Sequence, residues 1–182
     1  MTTYSIKILS AAFALIGIPI LTPVKAEYAQ PDDGILDPDI AHELVVASRA
    51  PWNEHEKAYK DLLNDAWKHL PVKKQKAIEP EQRRWVKWKN SLDEETRIQA
   101  TEDRAYYIMA IVKGQNPEKT KMDLLAYEMS FLRNLWANIS PAQQQQWQQP
   151  VDDVLRTPGE WYQKLEAISA LNTKIERLQI HK

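Results

Sequence analysis

The run from Tyr59 to Leu92 constrains this chain more than any other stretch. Its first half places Tyr59, Leu62, Leu63, Ala66, Trp67 and Leu70 at successive spacings of three, one, three, one and three residues. That spacing is one face of a helix with 3.6 residues per turn, and no strand can satisfy it. Pro71 lacks a backbone donor and ends the helix. A second amphipathic segment, carrying Gln82, Trp85 and Trp88, follows within a few residues. The stretch therefore demands two helices joined by a tight break.

The rest of the chain repeats the same grammar. Asp37-Pro38 starts a helix with an acid at the N-cap and proline at the first helical position, with Ile40, Ala41, Leu44 and Val45 turned inward. Asn53 to Glu56 reads as a capping box for the helix of Tyr59. Beyond Pro71 a helix begins near Val72, and Pro80 is expected to kink or split it. From Glu81 the pattern continues through Trp85, Trp88 and Leu92 to Tyr106, Tyr107, Ala110 and Ile111, and one helix of about thirty residues is expected, with a solvated middle from Asp93 to Asp103. Gly114 is its C-cap. Asn116-Pro117 restarts a helix with the stripe Met122, Leu125, Met129, Leu132, Trp136 and Ile139. Ser140-Pro141 opens a short one, and Thr157-Pro158 with Glu160 caps a last one with Trp161, Leu165, Ile168, Leu171, Ile175 and Leu178 inward. No hairpin signal separates alternating runs. The fold class expected is all-α, a bundle of about five to six helices built from helix-turn-helix units, with no sheet.

The first 26 residues read differently. A short polar start with Lys7, an apolar run from Ile8 to Val24, and Val24-Lys25-Ala26 before Glu27 form the pattern of a secretory signal peptide cleaved after Ala26. An uncleaved anchor is the other reading, but the run is near the lower limit for a span and holds Pro19 and Pro23. The expected organisation is a signal peptide over 1–26, a loose leader over 27–36, a first helical unit over 37–115 and a C-terminal helical lobe over 116–182. Localisation is then periplasmic or secreted, with no stable membrane insertion after cleavage.

Removing 1–26 leaves 22 Lys+Arg against 25 Asp+Glu, from 24 and 25 in the whole chain. That balance argues against a nucleic-acid binder, which carries a basic face and a high pI. The chain has no cysteine. Lipoprotein acylation, thiol nucleophiles and thiolate metal sites are excluded with it, and the fold must stand on its core without disulfides. Seven Trp and seven Tyr supply much of that core.

The second half echoes the first at an offset of 69 residues: Leu63, Trp67, Leu70, Gln75 and Ile78 correspond to Leu132, Trp136, Ile139, Gln144 and Trp147. Chance resemblance between amphipathic helices and a true duplication both produce such a match. A duplication implies two helix-turn-helix units.

Catalytic chemistry finds little support. His42, His55, His69 and His181 are scattered, with no H-E-x-x-H and no helical histidine pair, so no zinc site is expected. Asp93, Glu94 and Glu95 are consecutive and point different ways from a helix, unlike the facing carboxylates of a glycosidase. No phosphate-cradling glycine loop exists among four glycines. No cofactor is expected. Basic clusters at Lys73, Lys74 and Lys76 and at Arg83, Arg84, Lys87 and Lys89 read either as a polyanion-binding face or as ordinary helix surface, the second favoured because acids flank both.

The pattern L-N-x-x-W-x-x-L-P, then P-E-Q-R-x-W-V-K-x-K, resembles the core of the LprI-type lysozyme-inhibitor family, small exported helical domains of bacterial envelopes. Leu63, Asn64, Trp67 and Leu70 match its first helix and turn, and Gln82, Trp85, Trp88 and Lys89 match its second. The resemblance covers roughly residues 56–100. The cysteine usual in that family would fall near Asp93, so the disulfide it implies is missing here. These motif residues are expected to be mainly structural. Gln82 in particular is expected to bind the backbone of the Pro71 turn.

The resemblance implies a non-enzymatic binding protein that inhibits lysozyme by steric occlusion. Asp93, Glu94, Glu95 and Glu102 are the expected partner-facing residues, steering a basic lysozyme. The alternative is a structural or accessory protein of a bacterial envelope assembly that inhibits nothing.

Overall fold

The computed structural model describes residues 36–180. The expected signal peptide, most of the leader and His181 lie outside the described residues. Seven helices run in order: α1 Pro38–Ala47, α2 Trp52–His69, α3 Val72–Lys89, α4 Glu94–Val112, α5 Pro117–Asn138, α6 Pro141–Arg156 and α7 Trp161–Ile180. No strand occurs among the described residues, so they form an all-α structure, with seven helices rather than five or six.

The extra helix comes from a break that the apolar pattern hid. The expected thirty-residue helix ends at Lys89, and Asp93 caps a new one by accepting hydrogen bonds from the Thr96 N–H at 3.0 Å and the Thr96 hydroxyl at 2.9 Å. An Asp with Thr three residues on offers the backbone a local partner that competes with a continuing helix. Pro80, conversely, does not split α3, which is helical on both sides of it. Pro80 is exposed, so water can serve the Lys76 carbonyl that loses its partner. Pro150 sits the same way, exposed within α6.

Helix starts follow the Asp-Pro and Ser-Pro signals. Asp37 accepts from the N–H groups of Asp39 and Ile40. Ser140 and Gln143 form a reciprocal capping box. Two expected caps are corrected. α2 begins at Trp52 after Pro51 with no side-chain cap, and Glu56 turns to ion pairs instead of back to Asn53. Thr157 closes α6, its hydroxyl donating to the Asp153 carbonyl, while Gln163 Oε1 accepts from the Glu160 N–H at the start of α7. Gly114 has φ +92°, and bonds from Gly114 N–H to Ile111 and from Gln115 N–H to Ala110 close α4 as expected of a left-handed glycine.

The chain divides into two compact units, Gly34–Leu124 and Leu125–Lys182, and the division falls within α5. In the first unit α4 is the central element. Ala105 through Ile111 form an unbroken buried run, with Ile98, Ala100 and Thr101 before it. The polar middle expected to be solvated is thus half indoors. Helix α2 lies along α4 with Tyr59, Leu63 and Ala66 buried, Leu70 is buried just past its end, and α1 adds Ile40 and Leu44. The Asp37 N–H donates to the Tyr106 hydroxyl at 2.6 Å, pinning the start of α1 to α4.

In the second unit Met129, Leu132, Leu135, Trp136 and Ile139 of α5 and the turn after it meet Val151 and Leu155 of α6 and Ile168, Leu171 and Ile175 of α7. Met122, placed on the α5 stripe by its period, is exposed.

The echo between the halves extends to hydrogen bonds. Gln75 Nε2 donates to the carbonyls of Trp67 at 2.8 Å and Leu70 at 3.0 Å. Gln144 Nε2 donates to the carbonyl of Trp136, also at 2.8 Å. Each glutamine reaches back eight residues across its turn to a carbonyl in the last turn of the preceding helix. The turn-bracing role expected of Gln82 belongs to Gln75.

Candidate functional site

Three polar constellations stand out in the first unit, and each is built by a different mismatch between residue type and place. The most buried is centred on Arg104, which has no exposed surface. Its position falls on the inward stripe of α4, with Thr101, Ile108 and Ile111, so the helix carries a guanidinium into the core. Its Nη1 donates to Glu81 Oε1 at 2.6 Å and its Nε to Gln82 Oε1 at 2.7 Å. The guanidinium lies 5.7 Å from the Trp85 ring centre and 4.7 Å from that of Tyr107. Lys121 of α5 holds the other Glu81 oxygen at 2.8 Å. One carboxylate thus receives two cations from two helices, and two aromatic faces cover the buried one. Burial pushes the Tyr107 hydroxyl up to about 12, and the negative charge of Glu81 adds to it.

The second constellation is centred on Glu56. Lys60 reaches its Oε1 at 2.7 Å, Lys89 the same oxygen at 3.3 Å, and Arg97 its Oε2 at 3.1 Å. Burial alone would raise this carboxyl, but the hydrogen bonds from Lys60, Arg97 and Lys89 outweigh it and hold the group at about 2. Lys89 is itself buried, with its ammonium 5.6 Å from the Trp85 ring centre. Burial and the charge of Lys60 lower its pKa.

The third is the α3–α4 corner. Asp93, Glu94 and Glu95 are exposed at the start of α4, where the helix dipole favours acids. Hydrogen bonds from Thr96 lower the Asp93 pKa. Arg97, the nearest cation in sequence, is turned toward Glu56. Glu102 does not join this corner. It sits two turns on, half-buried against Tyr59 and His55, and burial raises its pKa despite the bond from Tyr59. Of the four residues expected to face a partner, Asp93 is a cap, Glu102 is turned inward, and Glu94 and Glu95 are presented to solvent.

The eight residues of the family-like motif separate cleanly. Leu63, Leu70 and Trp85 are core, and Trp67 and Trp88 are half-buried. Gln82 and Lys89 serve the two ion networks, and Asn64 is exposed. Arg104 and Glu56 escaped the sequence reading. A single arginine on the apolar stripe of a helix was the signal for the first.

Among the described residues no group of three or more His, Asp or Glu is arranged to hold a metal, and no helix is long and apolar enough to cross a membrane. His55 Nε2 donates to the Ala50 carbonyl at 2.7 Å, His69 lies beside Asp65, and His42 is exposed. No family model, no curated protein and no solved structure matches this chain.

Proposed function

We propose that this chain is an exported helical binding protein of the LprI-like type, which docks onto a protein partner and performs no chemistry of its own. The observation that carries the reading is the fate of the charges. Cations and carboxylates drawn inside bind one another, as Arg104 and Lys121 do with Glu81, and Lys60, Lys89 and Arg97 with Glu56. What faces outward at the α3–α4 corner is a concentrated acidic tip whose local arginine is spent elsewhere. Such a tip suits electrostatic steering toward a basic surface, and a basic lysozyme is the partner the sequence resemblance suggests. Inhibition would then be steric, the tip and its helices covering the substrate cleft.

The test is a lysozyme inhibition assay with the purified protein at tenfold molar excess, at low and high salt. Salt-sensitive inhibition supports the reading, and a flat response removes lysozyme as the partner. A second reading, a non-inhibitory component of an envelope assembly, is favoured by one observation. Val45, Val46 and Trp52 are large apolar residues left exposed near the α1–α2 junction. Self-association at micromolar concentration, lost on Trp52→Ser, would support that reading instead.

A further inference from the structure

Helix α3 touches the rest of its unit along a single buried line. Of its eighteen residues only Ile78, Trp85 and Lys89 are buried. These lie on one line, at positions i, i+7 and i+11. The structure then sorts the charges of α3 in a way its sequence conceals. Lys74 turns in to the Ile111 carbonyl at 3.0 Å, and Lys89 turns in to Glu56. Glu81, the acid that flanks the second basic cluster, turns in to Arg104 and Lys121. Lys73, Lys76, Arg83, Arg84 and Lys87 are left on the outside. At about 100° per residue, these five fall within an arc of roughly 100°, opposite the buried line. Pro80 sits in the middle of the same arc. The stripe from Lys73 to Lys87 is about 21 Å long at 1.5 Å per residue. The remaining acid of α3 is Glu79, at the edge of the arc and paired with Arg83.

We propose that the outward face of α3 binds a linear polyanion whose charges are phosphates. The complementarity is of shape as well as sign: one narrow row of cations along a continuous helix matches a chain of evenly spaced charges. Adjacent Arg83 and Arg84 offer planar, multi-donor groups suited to phosphate oxygens. The face is short of the apolar side chains that an interfacial helix sinks into a bilayer. Val72 and Val86 are exposed, but they lie to one side of the basic arc. The net negative charge of the chain does not oppose this, because charges beyond about 10 Å are screened at ordinary salt. This inference is independent of the acidic corner and of lysozyme.

The probe is fluorescently labelled inorganic polyphosphate, titrated with the full protein and followed by anisotropy. If about four cations engage, affinity should fall roughly 50-fold between 50 and 200 mM salt, by the counterion-release slope for flexible chains. The double variant Lys76→Glu/Lys87→Glu should weaken binding more than tenfold. The control Lys57→Glu/Lys68→Glu, with the same charge change on exposed positions of α2, should bind nearly as well as wild type. Lys76→Gln/Lys87→Gln provides a milder pair if the reversals impair folding, and should flatten the salt dependence. Equal loss in the control would overturn the proposal, as would an unchanged Lys76/Lys87 variant. Equal affinity for polyglutamate would refute the preference for phosphate. Stronger binding to vesicles of anionic lipid than to polyphosphate would make the face a membrane contact and overturn the linear-polymer reading.

Discussion

Replacing Arg104 should cost a large part of the fold's stability. The side chain has no exposed surface and donates to Glu81 and Gln82 at 2.6 and 2.7 Å. Removing one member of a buried ion pair costs about 3–5 kcal/mol, because the other is left uncompensated. Here Lys121 stays on Glu81 at 2.8 Å, which pulls the electrostatic part to the lower end. Arg104→Ala also empties the space between Trp85 and Tyr107. Two lost methylenes at about 0.8 kcal/mol each bring the total to about 4–5 kcal/mol. Arg104→Met keeps most of the stem and should cost about 2–3 kcal/mol. The double variant Arg104→Met/Glu81→Met removes both charges and should recover much of that loss, giving a favourable coupling in a double-mutant cycle. Urea unfolding followed by far-UV circular dichroism measures all three. If Arg104→Met is as stable as wild type, or the double variant is worse than the sum of the singles, the ion pair does not organise this core.

Other residues give sharper local tests. Gln75→Ala and Gln144→Ala each remove an amide from carbonyls at a helix end and should each cost about 1–2 kcal/mol, read by thermal unfolding; a harmless pair of changes would deny the two turns a shared brace. Trp85→Ala should cost about 3–5 kcal/mol and half-buried Trp67→Ala distinctly less, so equal losses would contradict their different burial. Glu56 has a folded pKa of about 2 against an ordinary 4.5, so its contribution is complete above 4.5 and drains away as pH falls toward 2. Wild type should therefore outmelt Glu56→Gln near neutrality, and the gap should close across that window; a gap unchanged down to pH 2 would mean the cations do not hold this carboxylate. Gly114→Ala should lose about 1–2 kcal/mol from backbone strain alone, since a new Cβ meets no atom within 4 Å.

The helical class and most helix boundaries were legible because they depend on period and on proline, which act locally. Asp37-Pro38, Pro71, Asn116-Pro117 and Ser140-Pro141 each mark a real start or stop. The break at Asn90–Asp93 was hidden because Trp88 and Leu92 kept the apolar period running across it. A cap formed by Asp93 on Thr96 changes no hydrophobic position. Of the two outcomes expected at Pro80, the split does not occur, since the cost of a proline inside a helix depends on whether the freed carbonyl faces water. The candidate sites were legible only as residue types. Which way a charge on an amphipathic helix turns is decided by partners distant in sequence. Glu81 waits for Arg104 and Lys121, and Glu56 for Lys89 and Arg97. For that reason Glu102 looked like a surface acid, Glu56 looked like part of a cap, and the second basic cluster of α3 looked balanced by Glu81, which in fact points inward. The internal echo was the exception: Gln75 and Gln144 stood out in the sequence at the matching offset, and the structure gives both the same bond.

The measurement closest to the proposed function is capture of partners by the purified protein from a panel of lysozymes and from envelope extract, at low and high salt, beside the variant Glu94→Lys/Glu95→Lys. A basic lysozyme held at low salt, shed at high salt and lost by the variant is the predicted result. Lysozyme left unbound at low salt, or bound equally well by the variant, would contradict the account.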